Sequence, residues 1–210
     1  MARQSKMRDE ERAHIIEIWK TVVDVQQHFN DISMRIRGMF VTILLALFAA
    51  IGFLYTQHID LKIAAIRVKF ALVMPLFGIV GTYLFYFIDR FWYHRLLVGS
   101  VNHALNIEEK YKDEIPELSL SEAIGKESPY QPHGVTYCLA RIVVRDKRFR
   151  DTGRLHSDAK IELFYKSVVL VLVLTIVLLA VFGGIERDTP TASSSGSLFG
   201  LFPPFLQHSN

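Results

Sequence analysis

Cysteine is almost missing from this chain, since Cys138 is the only one among its 210 residues. A single thiol excludes an intrachain disulfide and any metal site built from several thiolates. The histidines do not compensate, because His94 and His103 are too far apart in sequence to share one helix face at metal-ligand spacing. We therefore expect no metal and no other cofactor.

Catalytic signatures are missing as well. The chain contains no G-x-S-x-G motif, no phosphate-binding P-loop and no paired-histidine zinc motif. Three apolar stretches, 38–59, 70–88 and 167–185, contain no Asp, Glu, Lys or Arg and a single His, His58, near the end of the first stretch. Intramembrane proteases and proton pumps, in contrast, use a buried acid or base. We expect that the protein is not an enzyme.

Acidic and basic residues are absent from three long stretches, 38–59, 70–88 and 167–185. At about 1.5 Å per residue each stretch matches the ~30 Å hydrocarbon core of a bilayer. The sequence predicts an all-α membrane protein with three transmembrane helices, whose cytosolic extensions pack as an antiparallel bundle. Two spans plus one buried core helix is the alternative.

The distribution of Lys and Arg predicts the orientation in the membrane. Basic residues are frequent in the segment 1–37 and throughout 89–166, and only Arg187 follows the third span. The positive-inside rule then places the N-terminus in the cytosol and the C-terminus outside. The connection 60–69 is external, and the tail 186–210 is expected to be external and flexible. Because the chain starts with a polar segment, we expect the spans themselves to direct insertion.

An apolar seam with a period of 3.5 residues runs through the segment before the first span. Such a seam is typical of helices that supercoil around partners, so we expect a coiled coil and a homo-oligomer. A helix lying flat on the membrane, with Trp19 at the interface, is the alternative. The seam residues are Ile15, Ile18, Val22, Val25, Phe29, Ile32 and Ile36.

The second span continues without a Gly or Pro break into an amphipathic cytosolic helix over 89–115. The segment 116–166 is predicted to be basic and irregular until a final helix, capped by Ser157, leads into the third span. Within it, Ser119 and Glu122 have the spacing of a capping box, which predicts a short helix over about 120–126. The stretch 135–144 is β-branched and fits either a strand or a buried helix.

Hydroxyl side chains in the first two spans are candidates for lining a pore in an oligomer. The alternative is that these hydroxyls bond their own backbone or a neighbouring helix. The candidates are Thr42, Thr82, Tyr83 and Tyr86.

Basic side chains outside the spans are candidates for binding a phosphate-bearing ligand or lipid headgroups. Positive-inside charge without a specific ligand is the alternative, and we expect no sequence-specific nucleic acid. The candidates are Arg90, Arg95, Arg141, Arg145, Lys147, Arg148, Arg150 and Arg154.

The first half of the chain has a recognisable layout: Arg35 and Arg37 before a two-span hairpin, and an exit through "DRFWYHRLL" (89–97) into an amphipathic helix. This layout resembles the SLATT-type small membrane effectors of bacterial antiphage systems associated with nucleotide signalling and retrons. The resemblance covers about residues 13–112, while the third span and the inserted segment 113–156 depart from the plainest two-span pattern.

Two functions follow from the sequence. The resemblance implies an oligomer in the bacterial inner membrane that permeabilises it when a nucleotide or protein trigger arrives in the cytosol, which stops growth of infected cells. The alternative is a non-conducting membrane anchor or scaffold for a cytosolic partner.

Overall fold

The computed structural model describes residues 8–57, 59–63 and 66–187. His58 and the predicted tail from residue 188 onward lie outside the described residues. The helices are α1 (Asp9–Thr56), α2 (Met74–Phe87), α3 (His94–Lys110), α4 (Leu120–Glu127), α5 (Gly134–Val143), α6 (Lys147–Thr152) and α7 (Ser157–Leu179). The strands are β1 (Asp60–Ile63), β2 (Ile66–Lys69) and β3 (Ile185–Arg187).

Three helices are long and apolar enough to cross a membrane, as the charge-free stretches predict. They are Asp9–Thr56, Phe70–Lys110 and Ser157–Phe182, and each extends beyond its apolar stretch. The second one is continuous because wide π-helical turns at Ile88–Tyr93 join α2 to α3. No residue in this join breaks a helix, so the chain keeps its helical path through it.

A small antiparallel sheet lies at the far ends of these helices. Asp60 of β1 pairs with Lys69 of β2, and Val68 of β2 pairs with Ile185 of β3. Within the predicted connection 60–69, β1 and β2 therefore pair as antiparallel strands, and β2 also pairs with β3, which follows the third apolar helix. The alternation of polar and apolar residues in "DLKI" and "IRVK" is the period-2 signal of a strand, which the sequence analysis did not use.

α1 packs along α3, and side chains bridge the two helices at several levels. Trp19 Nε1 donates to Glu108 Oε1 at 3.1 Å, and Gln26 Nε2 donates to the carbonyl of Ser100 at 3.3 Å. Trp19 thus contacts a later position of α3 than Gln26 does, so α1 and α3 run in opposite directions along this contact. Part of the predicted seam is used within the chain, since Ile36 is buried.

The segment 116–166 is more regular than predicted, because three short helices lie within it. The stretch 135–144 forms a helix, α5, rather than a strand. α5 and α6 are amphipathic, and their apolar sides fold onto the start of α7. The buried residues of this small core are Ala140, Val144, Phe149, Leu155 and Ala159.

The predicted short helix over 120–126 is present as α4, and Ser119 stands at its N-cap position, but the Ser119 side chain makes no capping hydrogen bond within the described chain. Instead the buried carboxylate of Glu108 accepts the backbone N–H groups of Ser121 and Glu122, at 2.8 and 3.0 Å. The carboxylate satisfies two N–H groups that have no partner within the helix, and its negative charge interacts favourably with the positive end of the helix dipole. Ser157 is the first residue of α7 rather than its cap.

Candidate functional site

Asp89 is the central residue of a polar cluster where the three long helices leave their apolar stretches. It lies in the π-helical turns and is completely buried. Its carboxylate accepts hydrogen bonds from Arg37 Nε and Nη2, at 2.7 and 3.2 Å, and from the hydroxyl of Tyr165 at 3.2 Å. Arg37 belongs to α1 and Tyr165 to α7, so one carboxylate joins all three long helices.

Glu162 forms a second buried group next to the first. It pairs with Lys166 and, at 3.5 Å, with Arg90, and it accepts the backbone N–H of Arg145 at 3.2 Å. Burial raises the pKa of Glu162, but the hydrogen bonds from Lys166 and Arg145 and the nearby cations outweigh it, so its pKa lies below the ordinary value. Arg90 also donates to the hydroxyl of Tyr86 at 2.6 Å.

Aromatic rings shield these charges on one side. The ring centroid of Phe40 lies 5.1 Å from that of Tyr165 and 5.3 Å from that of Phe85. Phe40, Ile161 and Tyr165 are buried as one cluster, with Tyr86 packed against it. Because apolar rings exclude water, the hydrogen bonds to Asp89 are stronger than on an open surface. We refer to Arg37, Asp89, Arg90, Glu162 and Tyr165 as the ionic junction.

The ionic junction was missed by sequence reasoning. Arg37 alone fits a charge before the first apolar stretch, and Asp89 alone fits a charge directly after the second one. A buried acid cannot be recognised from sequence when its partners come from other helices. The available signal was an acid and a base, Asp89 and Arg90, directly beside an apolar stretch that contains no other charge.

The predicted basic cluster is divided between two clefts. Arg90, Arg145 and Arg148 line a cavity of about 480 Å³, but three carboxylates line it too, those of Asp146, Asp158 and Glu162. The positive charge of this cleft is therefore largely neutralised. Arg141 and Arg150 line a separate cavity of about 410 Å³, and Arg95, Lys147 and Arg154 are exposed and lie outside the two lining sets.

The candidate pore hydroxyls occupy different environments. Thr42 Oγ1 donates to the carbonyl of Gly38 at 3.1 Å, and Thr82 Oγ1 donates to that of Gly78 at 2.7 Å. Both therefore bond their own helix, and Thr82 is buried. Tyr83 is 66% exposed on the outer surface of α2. The fourth candidate, Tyr86, bonds Arg90 of the ionic junction as described above.

His94 extends the polar cluster beyond the apolar stretch 70–88. It is buried, and its Nε2 lies 3.3 Å from Asp158 Oδ1. Burial lowers the pKa of His94 below 6.5, although the charges of Asp158 and Asp89 act in the opposite direction. Arg37 and Arg90 also lower it. The folded protein therefore keeps His94 neutral at a pH where the unfolded chain binds a proton.

This shift predicts a pH dependence of stability. Just below pH 6.5 the unfolded state binds more protons than the folded state. The contribution of neutral His94 to the free energy of unfolding is therefore fully present above pH 6.5, and it is lost as the pH falls through the lowered pKa. We expect the free energy of unfolding in detergent to decrease over this window, and His94→Gln to reduce the decrease. The control is His103→Gln, because His103 is exposed on the same helix. An identical pH profile for wild type and His94→Gln would contradict the assignment.

No protein-family model, no curated protein and no solved structure matches this chain. Among residues 8–57, 59–63 and 66–187, no group of three or more His, Cys, Asp or Glu side chains is placed to hold a metal ion. The function therefore has to be inferred from the ionic junction and the helices that it joins.

Proposed function

We propose that this protein is an oligomeric effector of the bacterial inner membrane that forms a pore or disrupts the bilayer in response to a cytosolic trigger. The observation that carries the proposal is the buried carboxylate of Asp89, which bonds α1 through Arg37 and α7 through Tyr165. All three apolar helices are thereby coupled at one point. A trigger that rearranges this point changes the packing of every span at once.

The continuous helices give this coupling a mechanical route. α1 has 48 residues and passes from its polar half into its apolar half without a break. A rotation of the polar half is therefore transmitted into the bilayer rather than absorbed by a loop. A buried ion pair favours two discrete arrangements over a continuum, because intermediate positions leave a charge without its partner.

The sequence supports a location and a role in the cell. The distribution of Lys and Arg favours a cytosolic N-terminus and an external C-terminus, and on this proposal the polar half of α1, the helix α3 and the start of α7 form an antiparallel cytosolic bundle. The resemblance of residues 13–112 to SLATT-type effectors supports growth arrest in antiphage defence. On this proposal the partners are the bilayer, further copies of the chain and a nucleotide or protein trigger.

A second candidate, a non-conducting scaffold, is favoured by one surface. On α5 the apolar side chains of Val135 and Ile142 are 84% and 73% exposed, and Cys138 lies exposed on the same helix side. Residues 135, 138 and 142 follow helical spacing, so they form a stripe without cover in a single chain. Such a stripe suits docking of a cytosolic partner helix.

Tyr165→Phe provides a test that does not require the trigger. It removes one hydrogen bond to the buried carboxylate, which is worth about 1.5–3 kcal/mol when the acceptor is charged, without leaving a charge unpaired. We expect a shift of about tenfold or more toward the permeabilising arrangement. In expressing bacteria this is measured as loss of membrane potential and slower growth relative to wild type.

Tyr137→Phe is the matched control, because Tyr137 lies on α5 and is exposed. It removes a hydroxyl of the same kind without touching Asp89, and should behave as wild type. If Tyr165→Phe reaches the membrane in equal amount and the cells keep their potential, the pore is contradicted. Recovery of a soluble partner that is lost on Val135→Glu would then favour the scaffold.

A further inference from the structure

A third cavity, distinct from the clefts around Arg90 and Arg141, lies between α1, α3 and α7. It has a volume of about 340 Å³ and we call it the junction cavity. The polar residues that line it are Asn30, Ser33, Arg37, His94, Ser157 and Lys160. Among its lining residues in the described part of the chain there is no acidic side chain, which sets it apart from the neutralised cleft around Arg90.

The buried hydroxyl of Ser33 is the observation that points to a ligand. Ser33 is only 2% exposed, and its hydroxyl has no hydrogen-bond partner among the described residues. A buried polar group without a partner is destabilising, so native proteins rarely retain one without a reason. Ser33 is one of the residues that line the cavity, and an acceptor bound there can satisfy its hydroxyl.

Arg37 and Lys160 have N–H groups that make no strong hydrogen bond to the described residues. Arg37 uses Nε and Nη2 on Asp89, while its Nη1 has only the weak acceptor Met34 Sδ at 3.8 Å. Lys160 Nζ donates to the carbonyl of Ser128 at 2.6 Å, which leaves two of its three N–H groups. No carboxylate is among the described residues that line the cavity, and a guanidinium together with an ammonium is a common environment for phosphate.

The first turn of α7 adds a partial positive charge, and Asp158, the acidic residue of that turn, pairs with His94 and is not among the residues that line the cavity. Ser157 opens this 23-residue helix and lines the cavity, and the preceding His156 makes no side-chain cap to its free N–H groups. Free N–H groups at a helix start favour anions. The apolar part of the lining consists of Leu97, Ile161 and Phe164.

We propose that the junction cavity binds a phosphate group, with Lys160, Arg37 and the Ser33 hydroxyl as donors and the apolar wall against the organic part of the ligand. Two sources provide this chemistry: a soluble phosphate ester, or the headgroup of an anionic lipid at the start of the apolar stretches. Because Arg37 also holds Asp89, an occupied cavity acts directly on the ionic junction. That the site receives the trigger rests on the proposed function, whereas the binding itself does not.

The experiment uses the full chain purified in a neutral detergent. Thermal unfolding is followed while inorganic phosphate replaces chloride at constant ionic strength, and in a second arm while phosphatidylglycerol is added to the micelles. We expect a saturable rise of the unfolding midpoint in at least one arm, since a ligand that binds only the folded state stabilises it. A response to phosphate alone identifies a soluble ester, and a response to the lipid alone identifies a headgroup.

Variants decide whether the response comes from this cavity. Lys160→Gln should weaken the apparent affinity about tenfold, the usual effect of losing one charge-assisted hydrogen bond. Ser33→Ala should also weaken it, yet be no less stable than wild type without ligand, because it removes an unpartnered hydroxyl. Lys20→Gln, an exposed cation on α1, is the matched control and should respond as wild type.

Two results would overturn the proposal: no stabilisation in either arm, or stabilisation that Lys160→Gln and Ser33→Ala leave unchanged. Neither result depends on membrane permeability, because the measurement contains no bilayer. A protein that binds phosphate but never depolarises cells would overturn the proposed function and leave the site intact.

Discussion

Replacing Asp89 with alanine is expected to lower the free energy of unfolding by about 3 kcal/mol, because it leaves the guanidinium of Arg37 and the hydroxyl of Tyr165 without their acceptor. Removing one partner of a buried pair usually costs about 3–5 kcal/mol. The lower end applies, since the side chain of Arg37 remains 30% exposed and regains some water. The measurement is reversible unfolding in mixed micelles.

The expected loss is specific to the buried site. Asp113→Ala removes an exposed carboxylate in the turn after α3 and should change stability by less than about 0.5 kcal/mol. Replacing both partners, as Arg37→Met with Asp89→Leu, should cost less than Asp89→Ala alone, because no charge is then left unpaired. Equal losses for Asp89→Ala and Asp113→Ala would show that the ionic junction does not stabilise the fold.

The long helices were predictable because their signal is local. A charge-free stretch such as 167–185 has one low-energy solution in lipid, a helix that satisfies its own backbone groups. The continuity through Ile88–Tyr93 was also predictable, since no Gly or Pro interrupts the apolar spacing. The strand pair within 60–69 was not predicted, although its period-2 alternation is a local signal of the same kind.

The ionic junction was not predictable because its signal is not local. Asp89 and Arg37 are separated by 52 residues, and Asp89 and Tyr165 by 76. Each residue alone fits a simpler interpretation, such as a charge at the membrane boundary. Only the packing of three helices shows that the acid is buried and that the base faces it.

The wrong capping assignments have the same physical origin. The capping box at Ser119 has the correct local spacing, but Glu108 of another helix reaches the same N–H groups with a full negative charge. A charge-assisted hydrogen bond is about twice as strong as a neutral one, so the distant carboxylate displaces the local hydroxyl. Local patterns therefore predict where a helix begins better than which residue caps it.

The apolar seam of α1 has a partly buried side and an exposed side in the structure, and the exposed side is the one available for self-association. Val22 and Phe29 follow Trp19 and Gln26 by three residues, so they lie on the side that meets α3, and both are partly buried. Ile18 and Val25 are seven residues apart and are 42% and 41% exposed. Apolar residues at this spacing form a surface that a second copy can cover.

The double substitution Ile18→Glu and Val25→Glu is therefore expected to abolish the proposed homo-oligomer while leaving the single chain folded. Two carboxylates per copy would have to be buried without partners, at a cost of several kcal/mol, which weakens association at least a hundredfold. The measurements are cross-linking in membranes and the mass of the detergent-solubilised particle.

Val22→Glu with Phe29→Glu is the contrasting pair, expected to disrupt the contact between α1 and α3 and to lower the unfolding midpoint. An unchanged oligomer in the Ile18→Glu and Val25→Glu variant would show that copies associate through another surface. A monomeric wild type would contradict the proposed pore, because that pore requires an oligomer. A hundredfold loss in the first pair with an unchanged midpoint would instead assign the exposed half of the seam to the oligomer and the buried half to the fold.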